Sequence, residues 1–170
     1  MRKGIIVLGL ALALGACHGP VKSNPAQVSQ ANAQAQAFMA KAATEPGMQK
    51  LPSGLLFKVV RSGPADGLRP QLGDEVKVNY EGKLASNGKV FDSSYERGQP
   101  AAMPLKGLIP AWQQALPLMR PGDEWILYVP PSLGYGDAGA GGGDIPPGAV
   151  LIFRIELLGV LPGPGRIQNG

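Results

Sequence analysis

The sequence predicts an α+β fold: a curved antiparallel β-sheet wrapped around one short α-helix and preceded by an N-terminal helical stalk. Three observations carry that expectation. Apolar residues recur at every second position in residues 75–81 (EVKVNYE), and short apolar runs follow at 124–129 (EWILYV) and 149–158 (AVLIFRIELL), as expected of strands with one buried face. Only residues 109–116 (IPAWQQAL) break this rhythm after Leu51. A chain of 170 residues holds one domain with a real core and little room for a second.

At the N-terminus, Arg2 and Lys3 precede an uncharged apolar run over residues 4–14 and then small residues. The run is too short to span a bilayer as a helix, and its basic flank predicts an export signal over residues 1–16. Leu14-Gly15-Ala16-Cys17 resembles a bacterial lipobox, which implies lipidation of Cys17 as the first mature residue. Cys17 is the only cysteine, so acylation also removes a free thiol from an exported chain. His18 follows it in place of the aspartate that retains enterobacterial lipoproteins at the inner membrane. By that resemblance the expected location is the periplasm, anchored to the outer membrane.

Composition excludes several functions. Arg2 and Lys3 are the only charged residues before Cys17, so the remainder carries 14 basic and 12 acidic side chains, scattered without a basic run. No nucleic-acid interface is expected from that distribution. The single histidine, His18, lies beside the lipidation site, which leaves the folded region without candidates for a metal site or His-based nucleophilic catalysis. No cofactor is implied.

Residues 17–50 form a lipid-anchored tether and an N-terminal helix. The helical segment, residues 27–43 (QVSQANAQAQAFMAKAA), is rich in Ala and Gln, with Val28, Phe38 and Met39 as its few large apolar residues. It suits either a docking or dimerisation helix or a solvated stalk, and so thin an apolar stripe favours the stalk. TEPG at 44–47 ends it.

The main domain is expected over residues 51–161, with a tail at 162–170. Val76, Val78 and Tyr80 share one face of the first long strand; Asn87-Gly88 marks a hairpin after Lys83-Leu84. Pro110 suits a first helical turn and Pro117 marks the end of that helix. Trp112, Ala115, Leu116 and Met119 then fall on one side of it, facing the sheet. In the final strand Leu151, Phe153, Ile155 and Leu157 share a face. Residues 134–148 (GYGDAGAGGGDIPPG) contain the letters G-x-G-x-x-G. The following glycines and Pro146-Pro147 cannot open the helix that a dinucleotide cradle requires. Neither a nucleotide site nor a P-loop is expected there.

Several segments in order carry a family resemblance: LPSGLLFKVV from Leu51, VNYEGKL from Val78, GKVFDSSYERGQPA from Gly88, LIPAW from Leu108 and GYGDAGAGGGDIPPGAVLIFRIELL from Gly134. Together they resemble the FKBP-type peptidyl-prolyl cis-trans isomerases, within them the bacterial Mip-like lipoproteins, over about residues 51–161. The resemblance implies an enzyme that accelerates X-Pro bond rotation in exported proteins by binding the proline in an apolar aromatic pocket. A binding module or holdase chaperone using the same pocket with little turnover is the alternative. The partners implied are proline-containing unfolded or folding polypeptides, with macrolides of the rapamycin class as possible ligands.

By motif, the resemblance assigns catalytic positions to Tyr80, Asp92, Ile109 and Tyr135, and substrate-binding positions to Phe91, Arg97, Leu108, Trp112, Ile145 and Phe153. It implies that the Ile109 N–H and Tyr135 hydroxyl bond substrate or inhibitor carbonyls. Asp92 would lie near the twisting carbonyl, held by Tyr80 and Arg97, over a Trp112 floor. The loop at 134–148 would act as a flap with Tyr135 and Ile145 facing the cavity. From spacing alone, Phe91, Trp112 and Phe153 are equally core aromatics, Asp92 a turn former and Tyr135 a loop anchor; their joint occurrence in family order selects the site. Ala101, Met103 and Gly107 stand where some relatives carry Phe, another aromatic and Glu, so the resemblance implies a narrower aromatic wall.

Overall fold

A computed structural model describes residues 24–164 and Arg166. The export signal, Cys17, His18 and the start of the tether lie outside the described residues, as does most of the tail.

Helix α1 spans Pro25–Ala42. Asn24 caps it, its side-chain oxygen accepting from the Ala26 N–H at 3.1 Å, and Pro25 occupies the first turn, where its missing N–H costs nothing. Val28, Ala31, Asn32, Ala35, Phe38, Met39 and Ala42 form one partly or fully buried stripe at helical spacing, while the remainder of the helix is exposed. That stripe is laid on the domain: the Phe38 ring lies 6.3 Å from that of Tyr128. The N-terminal helix expected from composition is therefore present, and it rests against the sheet along a narrow line.

Strands β1 (Gln49–Lys50), β2 (Leu56–Arg61), β3 (Glu75–Leu84), β4 (Val90–Ser93), β5 (Ala101–Pro104), β6 (Glu124–Val129) and β7 (Leu151–Leu161) form one antiparallel sheet in the order β1-β2-β6-β7-β3-β4. β5 takes the same edge of β3 as β4, pairing with its first half from Glu75 to Val78 while β4 pairs with Glu81 to Lys83. Register shifts at Val59/Arg61, Lys77/Val78 and Gly82/Lys83 bend the strands, because a bulge adds local twist. The hairpin closes on a wider turn than Asn87-Gly88 alone: Leu84 and Lys89 pair across a four-residue loop, with the Asn87 side chain accepting from the Lys89 N–H at 2.9 Å.

Helix α2 spans Pro110–Ala115 and runs on into a 3-10 turn at Leu116–Leu118. Trp112, Ala115, Leu116 and Met119 are all buried, on the side that their spacing predicts. They meet Val76, Val78, Tyr80, Leu127, Val129, Phe153, Ile155 and Leu157 from the sheet in one core. Trp125 stacks on Phe57 with ring centroids 4.5 Å apart and planes 9° from parallel.

The opposite face of the sheet carries a charged ladder. Arg61 donates to Glu156 at 2.5 Å and lies 3.6 Å from Glu124, Arg154 also binds Glu124, and Asn79 donates to Glu156 at 3.1 Å. At the C-terminal end, Asp74 is buried and accepts from the backbone N–H groups of Gln71 and Gly163 and from Arg166. The first part of the tail is thereby tied to the start of β3.

Candidate functional site

β3 supplies the back wall of a cavity between the sheet and α2. Tyr80 points inward because strand alternation puts it on the face of Val76 and Val78. Its backbone is locked to the chain beyond β4: the Tyr80 N–H donates to the Ser94 hydroxyl at 2.8 Å, and the Ser94 N–H donates to the Tyr80 carbonyl at 2.9 Å. These two hydrogen bonds fix the end of β4, which carries Asp92, and the turn after it, which carries Arg97, against Tyr80.

The resulting cluster is closed. The Tyr80 hydroxyl donates to Asp92 Oδ2 at 2.5 Å, one Arg97 nitrogen donates to Asp92 Oδ1, and the other donates to the Tyr80 oxygen at 2.9 Å. The guanidinium carbon also lies 5.4 Å from the centre of the Tyr80 ring, within cation–π range. Burial, reinforced by the hydrogen bond to Asp92, pushes the Tyr80 phenol above its ordinary range despite the opposing effect of Arg97. It stays a proton donor at neutral pH.

Trp112 forms the floor, 3 % exposed. Its indole meets the Tyr80 ring edge-on at 5.2 Å and the Phe153 ring edge-on at 5.4 Å, and Phe91 meets Phe153 at 5.6 Å and 85°. Such crossed pairs set the positive edge of one ring against the negative face of the next, so the four rings hold one another's orientation. Gly82 makes the arrangement possible. A Cβ there would sit 2.6 Å from a Phe153 ring carbon and 2.7 Å from a Phe91 ring carbon, so both rings close over bare backbone.

The rim comes from α2 and the loop after β6. Ile109 is the N-cap of α2, so its N–H belongs to the first-turn donors without an intrahelical acceptor. Gln113, one turn on, donates its side-chain amide to the Leu108 carbonyl at 2.7 Å and to the Lys106 carbonyl at 3.1 Å, which fixes the backbone leading to Ile109. Across the opening stands Tyr135, 38 % exposed. Burial, and then the nearby Asp92 charge, push its phenol upward as well, keeping its hydrogen.

The cavity encloses about 220 Å³ and is lined by Tyr80, Phe91, Asp92, Met103, Gly107, Leu108, Ile109, Trp112, Tyr135 and Phe153. Eight of the ten site residues singled out from the sequence thus share one hollow. Arg97 stands behind it and reaches it only through Asp92 and Tyr80. Ile145, the other expected flap residue, is buried in the core cluster that also holds Tyr80, Trp112 and Phe153. The reason is local, since Ala140 and Ile145 exchange two backbone hydrogen bonds across Gly141–Gly143, and this small hairpin directs Ile145 inward. Met103 and Gly107 complete the wall. Both are among the departures from relatives for which the resemblance implies a narrower aromatic wall. Gly82 and Gln113 were missed; the only signal for Gly82 was its place in VNYEGKL. Three larger hollows, about 500, 400 and 680 Å³, lie along α1, but none brings aromatic rings and polar groups together in this way.

Comparison with known proteins agrees with the geometry. The family model for FKBP-type peptidyl-prolyl cis-trans isomerases matches residues 67–158. The peptidyl-prolyl cis-trans isomerase Mip of Coxiella burnetii is 50% identical over 127 residues, covering 75% of this chain and 54% of that protein. The outer membrane protein MIP of Legionella longbeachae is 41% identical over 128 residues, covering 75% and 53%. The chain thus spans little more than half the length of these relatives. Among solved structures, FkpA from Escherichia coli superposes with a TM-score of 0.75 at 40% identity, covering 82% of this chain and 63% of that one. A peptidyl-prolyl cis-trans isomerase from Pseudomonas syringae superposes with a TM-score of 0.74 at 34% identity, covering 83% and 99%. With the family model matching more than half of this chain and the aromatic cavity assembled from the expected segments, this chain belongs to the FKBP-type peptidyl-prolyl cis-trans isomerase family.

Proposed function

We propose that this chain is a peptidyl-prolyl cis-trans isomerase that binds a proline side chain over Trp112 while the preceding amide bond turns. The observation that carries the proposal is the cavity itself: four mutually buttressed aromatic rings, with Asp92 and the Tyr135 hydroxyl at its polar margin. Rotation about an X-Pro bond faces a barrier of roughly 18–20 kcal/mol and takes tens of seconds or more unaided. A thousandfold acceleration requires about 4 kcal/mol of preferential stabilisation of the twisted state.

No nucleophile is needed for that. A planar amide carries resonance charge on oxygen and nitrogen that the twisted amide has lost, so an apolar cavity disfavours the planar form more. Shape complementarity to a pyrrolidine ring with its amide turned adds to the preference. In this reading the Ile109 N–H and the Tyr135 O–H donate to substrate carbonyls, which their positions on opposite sides of the cavity mouth support. Both Asp92 oxygens are occupied, by Tyr80 and by Arg97, which suits an electrostatic and positioning role without proton transfer. Leu108, Phe91 and Phe153 supply the apolar walls, and Arg97 acts through Asp92.

The substrates are proline-containing unfolded or folding polypeptides in the periplasm, and Cys17 carries a lipid anchor at the outer membrane. The lipobox-like LGAC and the name of the Legionella longbeachae relative support this location. Macrolides of the rapamycin class are proposed to occupy the same cavity. The test is protease-coupled isomerisation of a short X-Pro peptide with and without rapamycin: acceleration that rapamycin suppresses is expected. Peptide affinity with no acceleration would assign the cavity to a binding module or holdase instead. Metabolic labelling with palmitate, abolished in Cys17→Ala, is the expected result for the anchor.

A further inference from the structure

We infer that Ala31 and Asn32 of α1 are positioning residues for Tyr135, so that the N-terminal helix helps to set the substrate-binding edge of the cavity. The inference rests on the cavity being the proline site.

The segment between β6 and β7 that carries Tyr135 is pinched at a neck. Gly136 and Gly148 face each other there, the Gly148 N–H donating to the Gly136 carbonyl at 3.0 Å, and both take positive φ, 57° and 69°. Gly136 is the residue directly after Tyr135, so the neck sets the direction in which Tyr135 leaves the backbone. Both sides of the neck meet α1. On one side, Gly148 lies so close that an added Cβ would stand 2.9 Å from the Ala31 Cβ and 3.3 Å from the Asn32 side-chain oxygen. On the other, the Asn32 side-chain amide donates to Asp137 Oδ1 at 3.2 Å. Two consecutive residues of one helical turn thus bear on the two strands of the neck.

The remainder of the loop is held independently. Lys89 pairs with Asp144 at 2.9 Å, and Ala140 bonds Ile145, both beyond the neck. The helix in turn takes its place from the sheet, through the Phe38 ring on that of Tyr128. The hollows on either side of α1 confine its contact to a narrow line. Ala31 and Asn32 are the part of that line that touches the loop.

Steady-state kinetics on the full chain test this, with kcat and KM measured separately on an X-Pro tetrapeptide. Asn32→Asp sets a carboxylate against that of Asp137 and is expected to raise KM roughly two- to fivefold with kcat preserved, the signature of a lost contact made equally in ground and transition states. Adding Asp137→Asn restores the amide–carboxylate bond with the partners exchanged and is expected to return KM to its starting value. Ala31→Leu, which presses on Gly148, gives the same KM effect, whereas Ala37→Leu on the exposed side of the helix gives none. In a Tyr135→Phe background both effects disappear, because they act through the hydroxyl. Unchanged KM in Asn32→Asp and Ala31→Leu, no rescue by the exchanged pair, or full additivity with Tyr135→Phe would each overturn the inference. A wild-type protein without isomerase activity is a different result, which refutes the proposed function. The same variants are then compared by their affinity for the proline peptide, with the same pattern expected and the same outcomes decisive.

Discussion

Substituting Gly82 by alanine isolates the contribution of ring placement to both stability and turnover. Gly82 lies in β3 with an ordinary extended backbone, so alanine introduces no conformational strain and its whole effect comes from one methyl group. That methyl would stand 2.6 Å from Phe153 Cε1 and 2.7 and 2.8 Å from Phe91 Cζ and Cε2. Ordinary carbon–carbon contacts are about 3.5–4.0 Å, so the rings have to retreat by roughly 1 Å. Neither is free to do so, since Phe153 is backed by Trp112 and Phe91 by Phe153. Overpacking of this kind costs about 1–3 kcal/mol, or roughly 4–12 °C in the melting temperature of a domain near 100 residues. A displacement on the order of 1 Å in a wall of the cavity lowers kcat/KM by up to about a hundredfold. Calorimetry and the protease-coupled assay measure the two effects. A second change, Phe91→Leu, makes room for the methyl and is expected to recover part of the stability. A Gly82→Ala protein with wild-type melting and wild-type kcat/KM would show that the placement of Phe91 and Phe153 does not set the cavity.

Trp112→Leu keeps an apolar floor but removes the edge-on contacts to Tyr80 and Phe153; kcat/KM is expected to fall by on the order of tenfold or more, and equal activity would exclude the indole as the proline platform. Glu156 is held below the usual carboxylate range chiefly by the Asn79 amide and also by Arg61, against the opposing effect of burial. Its charged form therefore stabilises the fold above the ordinary glutamate value of about 4.3, and that stability is lost as pH falls through the lowered native value. The melting-temperature gap between wild type and Glu156→Gln is expected to narrow from pH 7 to pH 3, and a constant gap would contradict the linkage. Asp74→Ala strands a half-buried Arg166 and two backbone donors, with an expected cost of about 3–5 kcal/mol by denaturant titration. Arg166→Ala is expected to cost less, because Asp74 keeps its two backbone N–H partners.

The sequence by itself determined the class of the fold, the strands that build its core and the family. Val76, Val78 and Tyr80, or Leu151 to Leu157, repeat every second residue because one face of each strand is buried, and the prolines around Trp112 bound the only break in that rhythm. The cavity residues were legible for a different reason: they lie in several separate motifs whose order alone carries the resemblance. Tertiary structure decided what those patterns do not encode. The inward direction of Ile145 in DIPPG comes from its two-bond bridge to Ala140 across three glycines. Gly82 and Gln113 belong to the site only through what comes to lie beside them: two rings on one, the Lys106 and Leu108 carbonyls on the other. The thin stripe of α1 favours a free stalk over a docked helix, and it is Phe38 meeting Tyr128 and Ala31 meeting Gly148, 117 positions away in the chain, that lay the helix on the domain. Burial leaves a periodic trace in the local sequence, because each strand or helix has to present one face to the core. A contact between small or polar residues far apart in the chain leaves no such trace, and only the folded geometry reveals it.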